Sequence, residues 1–264
     1  MTTGVRRWWL FLGCLIAWQW ATSAAHDKYF PTPAVILRQA GHLWLSGPGS
    51  RLLLSNQVFA DILPSLGRVL LGWAVAAVLG VAIGLVVGRS PVLDDYCRGV
   101  FAFARAVPPA VLVPVFLVVL RVGSGMAVTT IVFGAVWPIL LDTADGARSI
   151  DPLTTDVVRL FRTPWYQRIV RVIVPAAGPK IFAGLRVGLS IAFILMIVAE
   201  MLGGTSGIGH QLAADADLPS RWAWIVLVGV LAYLVTGALA LVEHRVLRWH
   251  RAVPESAEQP SVLT

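Results

Sequence analysis

A chain of 264 residues that is 57% hydrophobic and 13% charged is no ordinary soluble domain, where charged side chains reach about a quarter of the total. Its formal net charge of +7 would suit a nucleic-acid binder, yet 19 of the 21 basic residues are Arg, most of them at the ends of apolar runs. That distribution reports membrane orientation, so nucleic acid is excluded as a partner and the chain reads as all-α, polytopic and embedded in the lipid bilayer.

In chain order, Met1 to Arg7 is a short basic start and Trp8 to Ala21 an apolar run. With Ala21-Thr22-Ser23-Ala24-Ala25 behind it, the segment 1–25 reads as a first transmembrane anchor or a signal-like segment. Residues 26–66 read as an extracytoplasmic, interfacial segment. The prolines of Tyr29-Phe30-Pro31-Thr32-Pro33 make an extended turn, and Val35 to Leu45 carries apolar residues at helical spacing. His26 and His42 read as scattered interface residues. Residues 67–251 form the transmembrane domain. Its first span, Gly67 to Gly88, repeats a small residue every fourth position (Gly72, Ala76, Gly80, Gly84, Gly88), a stripe that lets another backbone approach closely. Arg89 to Arg105 reads as a polar, cytosolic connection. Ala106 to Leu120 is a span with three prolines, Pro108, Pro109 and Pro114, which would free backbone carbonyls.

Arg121 to Gly125 turns at the outer face, and Val128 to Leu141 crosses again. Ile181 to Leu202 is the next span, with Arg186 snorkelling near its inner end and Glu200 near its outer end. Gly204 to Arg221 reads as an outer loop, Trp222 to Leu241 as the last span, Glu243 to Arg251 as a basic inner end, and 252–264 as a disordered cytoplasmic tail. Cys14 and Cys97 have no ligand spacing and read as packing residues, which leaves no metal site.

Between two of these apolar blocks lies a polar stretch, 148–180, too rich in Arg to sit in lipid. Asp151-Pro152 opens a short helix, because Asp caps well and Pro suits a first turn. That helix continues over Leu153 to Phe161 and stops at Arg162-Thr163. Thr163-Pro164 repeats the start signal, and a second helix runs toward Val174 until Pro175 interrupts it. The expected product is a helix, an elbow and a helix carrying Arg159, Arg162, Arg168 and Arg171.

This loop resembles the cytoplasmic loop of ABC importer permeases, the inner-membrane subunits of binding-protein-dependent transport systems. The family signature is Glu-Ala-Ala, a Gly, then Ile-x-Leu-Pro. With every spacing kept, it falls on Asp156-Val157-Val158, Arg162 and Val172-Ile173-Val174-Pro175. The acid, the small apolar pair and the Pro match in kind, while Arg162 stands where the family has Gly. Arg105-Ala106-Val107-Pro108 with Pro114-Val115-Phe116, Trp137-Pro138-Ile139-Leu140, and Ala199-Glu200-Met201-Leu202-Gly203 resemble motifs of the nitrate, sulfonate and taurine branch.

The resemblance implies a type I ABC importer permease with about six spans, in a bacterial inner membrane, both termini cytoplasmic. It implies that Asp156, Val157, Val158, Arg159, Phe161, Arg162 and Pro175 couple the chain to cytoplasmic ATPase subunits. Its further partners would be a second permease copy, as a homodimer, and an extracytoplasmic substrate-binding protein. The chain itself has no Gly-x-x-x-x-Gly-Lys-Ser/Thr loop, so ATP would be bound and hydrolysed by a partner subunit, with no cofactor and no enzymatic activity here. Glu200 reads either as lining of the translocation path, with Pro108 and Pro114, or as an interfacial carboxylate bonded to a neighbouring helix. The competing class, a secondary transporter or channel, is disfavoured by the scarcity of charges at depth and the lack of an evident inverted repeat.

Overall fold

Helices account for every regular element among the residues that the computed structural model describes, 2–25, 29–49 and 53–248. Four runs are long and apolar enough to cross a bilayer: Val58–Arg89, Ser124–Arg148, Trp165–Gly203 and Leu218–Val246. Pro91–Ala106 with Pro109–Leu120 makes a fifth if the pair is one broken span. Helix α1 (Thr2–Ala25) is long enough. Gln19, Thr22, Ser23 and its tryptophans dilute its apolarity, and it falls short of the same measure. His26 and the expected tail, 252–264, lie outside the described residues.

Helix α2 (Pro33–Trp44) forms where the spacing places it, with Thr32 Oγ1 accepting the Val35 N–H at 3.4 Å. The next span begins at Val58 rather than Gly67. A π-helical turn, Val58–Ile62, leads into α3 (Leu63–Arg89). The same device recurs after α8 (Trp165–Arg168), where a π turn over Ile169–Ile173 leads into α9 (Val174–Gly203). In both, the residue after the turn donates its N–H five positions back, Leu63 to Val58 and Val174 to Ile169, and a proline follows at once. The widened turn eases the clash of the proline ring with the carbonyl four residues back and removes the demand for its missing N–H. Pro175 therefore does not interrupt the helix, and Trp165–Gly203 runs through.

The expected span Ala106 to Leu120 is not one helix. The supposed connection before it is α4 (Pro91–Ala106), started by Ser90, whose Oγ accepts the Leu93 N–H at 3.3 Å. The chain breaks at Val107-Pro108, makes a 3-10 turn over Pro109–Leu112 and continues as α5 (Val113–Leu120). Pro109 and Pro114 thus stand in first turns, where no N–H is required, and free no mid-helix carbonyl. Helix α6 (Ser124–Arg148) overruns Val128 to Leu141 at both ends and passes through Pro138. The expected outer loop, Gly204 to Arg221, contains α10 (Ile208–Ala214), and α11 (Leu218–Val246) starts inside it.

The chain divides into two compact units. One gathers Val69–Leu112, Val128–Leu195 and Ala232–Thr264. In it the small-residue stripe of α3 meets α6. A methyl group added at Gly72 would lie 2.6 Å from Ile131 Cγ2, at Gly80 2.9 Å from Ile139 Cβ, and at Gly84 2.6 Å from the Leu140 carbonyl oxygen. From α9, one at Gly184 would lie 2.9 Å from Ile139 Cα and one at Gly188 2.8 Å from its Cδ1. Ile139, fully buried, is thus gripped by glycines of both helices. Trp73 Nε1 adds a bond to the Leu185 carbonyl at 2.9 Å. The other unit gathers Met1–Arg68, Val113–Ala127 and Met196–Leu231. Its apolar centre joins Val113, Met126, Ala127 and Ala199. Gln39 Nε2 of α2 donates to Ser220 Oγ at 2.9 Å, and Trp44 stacks edge-on against Trp224.

Gly84→Leu is predicted to cost about 3 kcal/mol through overpacking against α6. Val78→Leu, at a site 70% exposed, should stay within about 0.5 kcal/mol of the parent. Thermal unfolding in detergent measures both, and equal losses would refute the packing of the stripe.

Candidate functional site

Two constellations stand out, one in each unit. The first is the elbow. Helix α7 (Pro152–Leu160) opens as the sequence requires, with Asp151 Oδ1 accepting the Leu153 N–H at 3.0 Å. At its end the Thr163 N–H donates to the Val158 carbonyl at 3.3 Å and the Phe161 N–H to that of Val157 at 3.1 Å. Between them Arg162 takes φ 47°. A left-handed residue followed by an N–H that reaches five residues back is the Schellman stop. Arg162 therefore occupies the family's glycine position and adopts the conformation that a glycine would take, at a strain of about 1 kcal/mol. The elbow survives the substitution. Thr163, by contrast, does not cap α8, whose N-cap is Pro164 with no side-chain bond.

Leu153 and Val157 on one face of α7, and Phe161 four residues further on just past its end, are 69%, 45% and 76% exposed. Asp156 and Arg162 are exposed as well, while Val158 and Pro175 are half-buried. The side chain of Arg159 lies outside the described residues. In the same unit, ion pairs join Lys180 to Asp145 and Arg186 to Glu243. Asp94 receives Arg98 at 2.8 Å and Arg148 at 2.6 Å. These pairs are partly exposed, so solvent screens them and each adds little to stability.

Because a left-handed Arg162 is strained, Arg162→Gly should slow chymotryptic cleavage at Phe161 about fivefold, the equivalent of about 1 kcal/mol of local opening. Arg162→Val should speed it, because a β-branched residue tolerates φ > 0 poorly. The opposite order would show that the left-handed turn is not what holds the elbow.

The second constellation surrounds Glu200. Its carboxylate is completely buried and accepts from Arg68 Nη1 at 2.6 Å, Ser65 Oγ at 2.8 Å and the Gly209 N–H at 3.0 Å. Arg68 spends Nε on Ser124 Oγ at 3.0 Å, and its two Nη atoms on the Ser206 carbonyl at 3.0 Å and hydroxyl at 3.2 Å. Ser65 accepts the Ile208 N–H at 2.9 Å. Asp61, buried too, accepts the Gly207 N–H at 2.8 Å and the Gln211 amide at 2.9 Å. The turn between α9 and α10 folds over the carboxylate because it is glycine. Gly207 sits at φ 119°, and a methyl group at Gly209 would lie 2.8 Å from Glu200 Cβ.

Glu200 thus bonds neighbouring helices, while Pro108 and Pro114 are exposed prolines at the break before and the start of α5. Sequence reasoning missed Asp61, Ser65 and Arg68. Their spacing of four and three, one face of a helix, was the signal that could have found them. Among the described residues no cluster of His, Cys, Asp or Glu could hold a metal ion. Cys14 is exposed on α1 rather than packed.

Stranding one charge of a buried pair costs about 3–5 kcal/mol, whereas replacing both by apolar groups costs far less. Glu200→Leu and Arg68→Leu should each fall in that range, and the double variant should recover most of the loss. Thermal unfolding reads all three. Additive losses would mean that the pair is not coupled.

An all-helical, multi-span membrane subunit with an exposed polar elbow is the class that this geometry defines. The chain belongs to the family of binding-protein-dependent transport system inner membrane components, the permeases of ABC importers, which matches residues 76–248. It is 32% identical over 241 residues to the bicarbonate transport system permease protein CmpB of Synechococcus elongatus, covering 90% of this chain and 84% of that one. It is 31% identical over 240 residues to the nitrate import permease protein NrtB of a Synechocystis species, covering 88% and 86%. Among solved structures, an inward-facing MetNI methionine ABC transporter chain superposes with a TM-score of 0.60 at 17% identity, covering 70% of this chain and 94% of that chain. That likeness shows the fold.

Proposed function

We propose that this permease subunit works as one of two copies that carry a small oxyanion-bearing solute, such as nitrate, a sulfonate or taurine, across the bacterial inner membrane. An extracytoplasmic binding protein delivers the solute, and separate ATPase subunits dock on α7 and supply the energy. The observation that carries this reading is the uncovered apolar face of Leu153, Val157 and Phe161 on a helix held rigidly at both ends. A short helix of this kind fits an apolar groove on a partner, with Arg162 beside its rim. Relatives named for nitrate and bicarbonate support the solute class.

In this reading α1 is the first crossing, and residues 26–57 form an outer interfacial segment. The remaining five crossings lie between 58 and 251, with loop 148–180 and both termini in the cytoplasm. Arg89, Arg98, Arg105, Arg148 and Arg245 then fall on the inner side, as the positive-inside rule expects. Glu200 holds the outer turn, and Pro108 and Pro114 border the path at the break before α5.

Val157→Asp tests the docking, because Val157 is exposed and the fold tolerates the charge. Desolvating an unpaired carboxylate in the groove should reduce recovery of the ATPase at least about tenfold while the permease still inserts. Undiminished recovery and stimulated ATP turnover would exclude α7 as the coupling element.

Orientation is tested by cysteine labelling in a chain freed of Cys14 and Cys97. Thr205→Cys should react with an impermeant reagent from outside, and Val157→Cys only after permeabilisation. The reverse pattern would invert the topology.

A further inference from the structure

Helix α4 has two faces of different character. On one, Asp94 receives Arg148 of α6 at 2.6 Å, and Phe101 meets Trp137 of α6 with ring centroids 5.9 Å apart. The first contact pairs the start of α4 with the last residue of α6, and the second lies further along α4 and further back on α6. The helix therefore runs antiparallel beside a bilayer-crossing one. On its other face Val92, Asp95, Tyr96, Gly99 and Phe103 recur at helical spacing. All five are exposed, Tyr96 to 79% and Phe103 to 76%. Gly99 stands near the middle of this face. Gly80, Gly84, Gly184 and Gly188 are closed in by a neighbouring helix, whereas a methyl group at Gly99 would meet nothing within 4 Å.

Neither lipid nor water suits this face. Lipid would accept Val92 and the two aromatic rings but not the carboxylate of Asp95 among them, and water the reverse. A glycine in mid-helix weakens the helix, a loss that membrane helices offset where another backbone comes close. The charges beside Gly99 complement themselves. Asp95 and Arg98 have side chains 78% and 69% exposed and lie 3.9 Å apart, a loose pair within one chain. A guanidinium carries several N–H donors, so the bond from Arg98 to Asp94 leaves others for a partner. We propose that a second copy of this chain docks here, its α4 alongside in the same direction, with Gly99 against Gly99 and Asp95 of each copy beside Arg98 of the other. A two-fold axis along the bilayer normal keeps both helices in one direction and makes each contact twice. This contact rests on the two-copy reading above and names the face through which the copies meet.

The test is oxidative cross-linking of the full chain in membrane vesicles, in a background freed of Cys14 and Cys97. Gly99→Cys should form a disulfide-linked dimer, because the two-fold axis brings that position against its own copy. Restoring Cys97 alone, half-buried on the α6 side with Asp94 and Phe101, should give about fivefold less. In detergent at a fixed dilution, Gly99→Leu should lower the ratio of dimer to monomer about tenfold. Asp95→Lys should lower it too, and adding Arg98→Glu should restore it. Equal cross-linking from the two cysteine positions would overturn the proposal, as would an undiminished dimer in Gly99→Leu, which would leave the face to lipid. A dimer by mass that does not cross-link through Gly99→Cys would overturn this face while two copies still meet elsewhere. A monomer throughout would overturn the two-copy reading along with it.

Discussion

In a bilayer an apolar side chain gains little by leaving lipid for protein, so helices associate only where backbones come close and polar groups find partners. The contact of α3, α6 and α9 around Ile139 answers the first demand. Glycines at 80, 184 and 188 remove the side chains that would hold the helices apart, and Ile139 fills the space they leave. Trp73 then secures α3 to α9 through the Leu185 carbonyl. That unit also carries the elbow.

The second demand is answered in the other unit by Arg68 and Glu200. An isolated carboxylate at zero exposure would be prohibitive. Here it is offset by a guanidinium, a hydroxyl and a backbone N–H, and the guanidinium and the hydroxyl are each tied to a further group. The outcome is a turn, from Gly204 to Gly209, pinned by side chains rather than by regular hydrogen bonding. Such a network favours one arrangement of the α9–α10 turn.

Much of this was legible in the residues. Composition and the run of apolar blocks gave the membrane class, and the four-residue glycine repeat marked the face of α3 that packs. The Asp151-Pro152 pair starts a helix where it stands, whereas Ser90-Pro91 starts one inside what read as a connection. The elbow was legible too, but not its conformation. That Arg162 should accept a left-handed backbone is visible only once Thr163 is seen bonding to Val158. Prolines misled most. Pro175 looked like a stop because an α ladder cannot pass it, and a π turn just upstream lets the helix continue. Pro108 and Pro109 looked like kinks within a span but divide α4 from the turn before α5. The partners of Glu200 were hidden for another reason. Arg68 lies 132 residues away in sequence, and local spacing alone cannot pair two distant helices.

Family membership implies an energy source outside this chain. A permease that depends on an ATPase differs sharply from a secondary transporter in what drives solute across the bilayer. The direct measurement is uptake of labelled nitrate or taurine into proteoliposomes containing this chain, with its ATPase and binding protein added or withheld. The account predicts accumulation only when ATP, the ATPase and the binding protein are all present, and none from an imposed proton or sodium gradient. Gradient-driven uptake by the chain alone would contradict it.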